Sequence, residues 1–164
     1  MLWRFLGVSS TLATVAIFLV GASAADEKKE PMELSVYAPA DIKWKEGPAS
    51  IPAGAKLAVL EGDPAKEGPF VIRLKLPDGY RIAPHTHPKP ERLTVISGTF
   101  NIGMGEKFDA SKGTVMPAGT FGAWAPGMKH FVWTKGETVV QLHGTGPWVI
   151  EYVDPNDDPR KGKK

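Results

Sequence analysis

Residues 79–98 read GYRIAPHTHPKPERLTVISG, and two histidines stand one residue apart near the middle of this stretch. On a strand, residues two positions apart point to the same face, so we expect His85 and His87 to lie about 6.5–7 Å apart along the backbone. The two prolines that follow cannot donate hydrogen bonds to a sheet, so this segment should lie at a rim or a bulge. A bend there would return Glu91 towards the same centre as the two imidazoles.

A third histidine extends this candidate metal site. His130 follows the turn Pro126-Gly127, and a strand that begins there would close the set. Three neutral imidazoles and one carboxylate suit one divalent transition metal, namely manganese, iron, zinc, nickel or copper. The chain has no cysteine, which excludes thiolate ligands and disulfides. The alternative interpretation is that these histidines are ordinary surface or core residues that bind nothing.

The size and charge of the chain narrow the class of protein. With 164 residues, of which 42% are hydrophobic, we expect one folded domain. The 20 basic and 18 acidic residues leave a formal net charge of +2, which indicates no basic surface for a nucleic acid. We therefore predict no nucleic-acid partner and expect a small-molecule ligand or substrate instead.

The N-terminal 24 residues have the pattern of a secretory signal peptide. Arg4 is the only charged residue before Asp26, the segment between them is mostly apolar, and the small residues Ala22-Ser23-Ala24 suit a cleavage site. Cleavage near Ala24 would make the protein periplasmic or secreted and would leave no stable membrane anchor. The alternative is an uncleaved anchor, which the short apolar run disfavours because a membrane span needs about 20 apolar residues.

The rest of the chain divides into one domain and two polar ends. Residues 25–32 are charged and aperiodic, so we predict a flexible leader, and for residues 154–164 we predict a polar C-terminal tail. Between them, apolar residues alternate with polar ones in short runs separated by glycine and proline turns, which is typical of antiparallel strands. We therefore predict an all-β sandwich or barrel over residues 33–153. The predicted strands include Phe70–Leu76, Leu93–Val95, Phe100–Met104, Thr138–Leu142 and Trp148–Tyr152.

The histidine stretch resembles the first motif of the cupin superfamily. Every fixed position of that motif is present, in the order Gly79-x5-His85-x-His87-x3-Glu91-x6-Gly98. The second motif of the family, Gly-x5-Pro-x-Gly-x2-His-x3-Asn, is matched by Gly119, Gly127 and His130. Its proline is displaced by one position to Pro126, and Thr134 replaces its asparagine. These two departures concern the shape of a turn more than the metal chemistry.

The resemblance implies a single cupin β-barrel of the jelly-roll type, with six to eight strands and a metal site in the barrel mouth. It implies His85, His87, Glu91 and His130 as the metal ligands. A looser resemblance joins residues 41–158 to small exported bacterial cupins of unassigned activity. Barrels of this kind often pair through an edge strand, so a homodimer is a further expectation.

Other residues are candidates for positions around the metal. Gln141 and His143 share one face of a strand, and if that face is inward they could orient a ligand or a bound substrate. Arg81 lies four residues before His85 and would share its face in a regular strand, where it could bind a carboxylate. His143 and Glu91 are the candidate proton carriers in catalysis. The alternatives are a hydrogen-bonded barrel residue for His143 and a solvated surface residue for Arg81.

Three functions are compatible with this pattern. The first is a metal-dependent enzyme, of an oxidoreductase or dioxygenase-like type, that acts on a small oxygenated molecule; the resembling families favour oxidative chemistry. The second is a non-catalytic barrel that binds a metal or a small ligand. The third is a structural barrel with an empty histidine cluster. The first two predict loss of metal as the pH falls through about 6.5, where free imidazoles protonate.

Overall fold

The computed structural model describes residues 34–162, which contain nine β-strands and four single-turn 3₁₀ helices joined by turns and irregular segments. The strands are β1 (Lys45–Glu46), β2 (Lys56–Glu61), β3 (Gly68–Leu76), β4 (Arg81–Thr86), β5 (Glu91–Met104), β6 (Thr114–Pro117), β7 (Phe121–Trp124), β8 (His130–Gly146) and β9 (Glu151–Tyr152). The 3₁₀ helices are Pro39–Asp41, Ala110–Lys112, Pro155–Asp157 and Pro159–Lys161. Within the described residues, no helix is long and apolar enough to cross a membrane. The predicted signal peptide (1–24) and leader (25–32) lie outside these residues.

Two long strands, β5 and β8, organise the fold. They pair antiparallel along most of their length, from Arg92 opposite His143 to Met104 opposite His130. The register shifts around Gly98, whose φ is +77°. A Cβ atom at this position would collide with the main-chain oxygen of Glu137, so only glycine fits. The predicted strands Leu93–Val95 and Phe100–Met104 are therefore two halves of one bent strand.

The strand pairings form two layers that share β5 and β8. One layer has the order β1-β2-β3-β8-β5-β7 and uses the second half of β8 with the first half of β5. The other layer has the order β9-β4-β8-β5-β6 and uses the opposite halves. All of these pairs are antiparallel, and two layers joined by bent strands are a jelly-roll arrangement. The prediction of an all-β domain is confirmed.

The core lies between the two layers. In β3, the alternate residues Phe70, Ile72, Leu74 and Leu76 are buried, as the period of two predicts. Each buried side chain of this size contributes about 1.5–3 kcal/mol relative to exposure, so this interior stabilises the strands whose ends carry the histidines. The buried residues that β5 and β8 add to the same core are Leu93, Val95, Phe100, Ile102, Val132, Val140 and Leu142.

The predicted strand Trp148–Tyr152 is shorter than expected. Only its last two residues, Glu151 and Tyr152, pair with a neighbouring strand, which is β4. Pro147 has no amide hydrogen to offer to a sheet. The amide of Trp148 donates instead to the carbonyl of Pro64 at 2.6 Å, so this segment leaves the ladder and crosses to a loop.

The polar C-terminal segment is exposed but folded into two short turns. Asp154 and Asp158 cap the 3₁₀ helices Pro155–Asp157 and Pro159–Lys161 through their side chains. Arg160 donates to the carboxylate of Asp158 at 2.7 Å and to the carbonyl of Ile150 at 3.2 Å. These contacts attach the segment to the chain that precedes it.

Candidate metal centre

Three histidines converge where β4 ends and β8 begins, at one end of the jelly roll. His85 is the next-to-last residue of β4, His87 follows the end of that strand, and His130 is the first residue of β8. One ring nitrogen from each histidine lies within 4.8 Å of the others, and all three side chains are buried. The structure therefore brings together the three histidines that the sequence analysis singled out.

Each of the three imidazoles is oriented by a main-chain carbonyl that accepts a hydrogen bond from Nδ1. The pairs are His85 with Ala83 at 2.8 Å, His87 with Val149 at 2.7 Å and His130 with Met128 at 2.9 Å. Because a carbonyl oxygen can only accept, Nδ1 carries a proton, and Nε2 is the nitrogen left to bind a cation. Histidines that bind metals are held in the same way. This donor set therefore fits a metal ion.

Glu91 adds a carboxylate to the cluster. It is the first residue of β5, its side chain is 9% exposed, and its Oε2 lies 3.3 Å from Nε2 of His87 and 3.5 Å from Nε2 of His130. The shorter contact is not aligned as a hydrogen bond, so Nε2 of His87 is a buried nitrogen without a hydrogen-bond partner in the described part of the chain. A cation among these groups would satisfy that nitrogen.

Burial and mutual contact shift the protonation of these side chains. Burial, together with repulsion from His130, lowers the pKa of His85 to about 3. Burial opposes protonation of His87, but the carboxylate of Glu91 outweighs it and raises the pKa of His87. Burial acts to raise the pKa of Glu91, but the contacts with His130 and His87 outweigh it and hold this pKa well below its usual range. At neutral pH the metal-free site thus combines a neutral His85 with an ionised Glu91.

A small cavity adjoins the histidines and is lined mainly by aliphatic side chains. Its volume is about 30 Å³. A buried water needs about 10–15 Å³, so the cavity has room for an ion and one small group. A narrower cleft of about 10 Å³ lies next to it and is lined by His87, Glu91 and His143, among other residues. The site is therefore suited to small molecules.

Trp148 stacks on His87, a contact that the sequence analysis did not predict. Their ring centroids are 5.8 Å apart and their planes differ by 14°. Trp124 stacks on His130 in a similar way, at 5.7 Å and 16°. The only signal for Trp148 in the sequence was its place in an apolar alternation, which is equally typical of a core residue.

Gln141 is not brought to the histidine cluster. The alternate residues Val140 and Leu142 of β8 point into the core, which puts Gln141 on the outer face of the sheet. There its Oε1 accepts a hydrogen bond from Nε of Arg73 at 3.0 Å. Gln141 therefore does not point inward, as its predicted role required.

His143 also lies on the outer face of β8, but it reaches the edge of the site. Its ring stacks on Phe121 with centroids 6.3 Å apart. The same residue lines the narrow cleft that His87 and Glu91 share. His143 is thus outside the ligand cluster and beside a cleft that two residues of the cluster also line.

A β-bulge separates Arg81 from the site. The pairing of β4 with β8 shifts register between Ile82 and His85, which breaks the alternation on which the prediction rested. Arg81 is exposed, and its guanidinium lies over the ring of Phe108, 5.1 Å from the ring centroid. The expectation that Arg81 shares the face of His85 is therefore wrong.

The jelly roll, with three histidines and a glutamate at one end, defines a protein of the cupin superfamily. A family model described as the ChrR cupin-like domain matches residues 32–149, more than two thirds of the chain. The chain belongs to this family, and the cupin resemblance is confirmed. Among curated proteins, no sequence matches significantly.

Solved structures with a similar fold include enzymes. The polyketide cyclase RemF from Streptomyces resistomycificus is 15% identical with a TM-score of 0.64, over 79% of this chain and 92% of that one. An acetylacetone dioxygenase from Acinetobacter johnsonii is 17% identical with a TM-score of 0.60, over 82% and 86%. An RmlC-like cupin from Shewanella frigidimarina is 12% identical with a TM-score of 0.53, over 70% and 91%. At these identities the similarity establishes the fold.

Proposed function

We propose that this chain is a metal-dependent enzyme of the oxidoreductase type that acts on a small oxygenated molecule. The observation that carries the proposal is the convergence of His85, His87 and His130 with the buried carboxylate of Glu91. A divalent manganese, iron, zinc, nickel or copper ion fits these donors and would supply Lewis-acid or redox chemistry when bound. Solved cupin-fold structures described as a dioxygenase and a cyclase support an enzymatic role.

The side chains of the site would bind the ion, hold its ligands in place and exclude water. The Nδ1 hydrogen bonds hold each imidazole with Nε2 free to coordinate. Glu91 stays ionised, so it offsets one of the two positive charges of a divalent ion. The aliphatic walls of the cavity keep bulk water away, which strengthens electrostatic interactions inside it.

His143 is the proton carrier in this proposal. It lines the cleft that His87 and Glu91 share, so it could exchange a proton with a molecule held there. Glu91 is less suited to this task, because His130 and His87 hold its carboxylate in the ionised form. Replacement of His143 by Ala should lower turnover while the metal content stays unchanged.

The second candidate function is a non-catalytic barrel that binds a metal or a small ligand. The volume of the cavity favours it, because about 30 Å³ leaves little space for a substrate beside an ion. As a metal-binding barrel it predicts the same metal content as the enzyme and differs from it only in turnover.

A metal analysis followed by a turnover screen tests both candidates. Protein purified from its native compartment without an affinity tag should carry about one transition metal ion per chain. It is then assayed for consumption of dioxygen, superoxide and small carboxylic acids, with His130→Ala as the control that loses metal and activity together. Full metal content without turnover would support the metal-binding barrel, whereas protein without metal would contradict the enzyme and the metal-binding barrel alike.

We further propose that the chain is exported and acts in the periplasm or outside the cell. The support is the signal-like pattern of residues 1–24. N-terminal sequencing of protein from the native host should find a mature chain that begins near Ala25. A chain that retains residues 1–24 and fractionates with the cytoplasm would contradict export.

A further inference from the structure

The indole nitrogen of Trp148 is a buried hydrogen-bond donor without a partner. Among the buried side-chain nitrogen and oxygen atoms of the described residues, only Nε1 of Trp148 and Nε2 of His87 lack a hydrogen bond. An unpaired buried donor costs about 1–3 kcal/mol, so its presence points to a partner that the chain does not supply. The two unpaired nitrogens belong to rings that stack on each other.

The surroundings of Trp148 locate the missing partner. Trp148 lines both the histidine cavity and the adjoining cleft. Its main-chain amide already donates to Pro64 at 2.6 Å, which fixes the residue in place. Besides the three histidines, Glu91 and Trp148, the cavity is lined only by aliphatic side chains and the ring of Phe100. The cavity and the cleft are therefore the two places where a partner for this N–H would lie.

Charge balance indicates the kind of molecule. Three neutral imidazoles, the carboxylate of Glu91 and a divalent ion leave one positive charge uncompensated. No other side chain that lines the cavity is charged, and Lys89, which lines the cleft, is paired with Glu67 at 2.8 Å. An uncompensated charge in apolar surroundings is unfavourable. A ligand with one negative charge would remove that imbalance. An indole N–H can only donate, so the ligand atom that faces it is an acceptor.

We infer that Trp148 donates a hydrogen bond from Nε1 to an oxygen atom of a small monoanion of the size of formate. This inference rests on the proposed metal site and names the class of molecule that the site selects. The volume of about 30 Å³ restricts the ligand to a few heavy atoms. Trp148 is then a specificity residue, because a ligand that offers no acceptor would leave its N–H unpaired.

A nuclear magnetic resonance titration of the zinc-loaded protein tests this inference. The indole N–H resonance of Trp148 is assigned by its absence in Trp148→Phe and independently by its proximity to the ring of His87. Formate should shift this resonance until the site is saturated. Formamide has a similar size and no charge, and its affinity should be at least about tenfold lower. An unchanged resonance at saturating formate would overturn the inference.

Two matched variants separate the hydrogen bond from the ring. Trp148→Phe keeps an aromatic ring beside His87 and should bind zinc as the wild type does, with an affinity for formate reduced about tenfold, which is about 1.4 kcal/mol. Trp133→Phe makes the same change in another half-buried, stacked tryptophan and should bind formate with unchanged affinity. Equal affinity for formate in Trp148→Phe and the wild type would overturn the inference.

The outcomes distinguish this inference from the proposal on which it rests. A wild-type chain that binds no zinc would overturn the metal site and this inference together. A chain that binds zinc but does not respond to formate would overturn only the inference. If Trp148→Phe does not fold, the titration of the wild-type resonance still decides the matter.

Discussion

His85 and His130 are cross-strand partners in the pairing of β4 with β8, and their ring centroids lie 4.2 Å apart. The two residues are distant in the sequence, so the register of one strand pair determines whether the histidines meet. A shift by one residue would turn one of the two side chains to the opposite face of the sheet. The candidate metal site is therefore a property of the fold as much as of the histidines.

Replacing His87 by Ala should abolish metal-dependent stabilisation. A ligand at a hundred times its Kd stabilises a folded protein by about 2.7 kcal/mol, so zinc in such excess should raise the thermal midpoint of the wild type. His87→Ala lacks one of the converging imidazoles and should gain little. Calorimetry with and without zinc measures the difference. His143→Ala removes a histidine outside the ligand cluster and should respond like the wild type; a full zinc response in His87→Ala would contradict the account.

Replacing Glu91 by Gln should weaken metal binding without changing the shape of the side chain. The amide carries no negative charge, so it cannot offset the charge of the ion in a buried site. We expect Kd to rise about tenfold or more, which is about 1.4 kcal/mol or more. Competition with a chelator of known affinity measures it. Glu137→Gln, an exposed residue of β8, is the control, and equal affinities in the two variants would refute a ligand role for Glu91.

The metal-free protein should lose stability as the pH falls below about 6.5. The unfolded chain binds a proton at His85 near pH 6.5, whereas the folded chain resists it until about pH 3, so acid favours unfolding across this interval. Glu91 acts in the same direction. Its pKa is lower in the folded chain than in the unfolded chain, so its contribution to stability is present above the unfolded pKa and is lost as the pH falls. His87 acts in the opposite direction. Its pKa is raised in the folded chain, so its contribution to stability is present below about pH 6.5 and is lost as the pH rises through the folded pKa.

Urea denaturation at several pH values between 6.5 and 4.5, after removal of metal, measures this dependence. His85→Gln has no titrating group at this position, so its free energy of unfolding should fall less steeply over the interval. The comparison concerns slopes, so a general loss of stability in the variant does not affect it. The same slope in both proteins would show that His85 is not the group that resists protonation.

Replacing Gly103 by Ala should destabilise the bent part of the fold. A Cβ atom at this position would collide with the ring of Phe131, which is 1% exposed, and overpacking of this kind costs about 1–3 kcal/mol. Gly144→Ala is the matched control in β8, since its nearest contact would be 3.4 Å from a Cβ atom. Thermal denaturation should separate the two variants, and equal midpoints would contradict the packing described here.

The local pattern of the sequence was enough to predict the all-β class and the approach of His85 to His87. The approach of His130, on a distant strand, was expected from the resemblance to the second cupin motif. Alternation in β3 and the spacing of His85 and His87 depend on neighbouring residues only, and both survive in the structure. Gly98, the second glycine of the first motif, also has a local explanation, because its positive φ coincides with the bend in β5.

Features that depend on a partner strand could not be predicted in this way. The bulge that turns Arg81 away from His85 exists only in the pairing with β8. Gln141 points outward because the core packs against the other face of β8. The alternation of Val139, Gln141 and His143 with apolar residues defines two faces of the strand, but it does not show which of them is buried. The stacking of Trp148 on His87 joins two loops, for which no periodicity exists.

An anomalous difference map from a crystal grown with cobalt tests the central claim most directly. We predict one strong peak, coordinated by Nε2 of His85, His87 and His130 and by the carboxylate of Glu91, at bond lengths of about 2.0–2.2 Å. A map without a peak among these side chains, in a crystal whose solvent holds abundant cobalt, would contradict the metal centre proposed for this cupin.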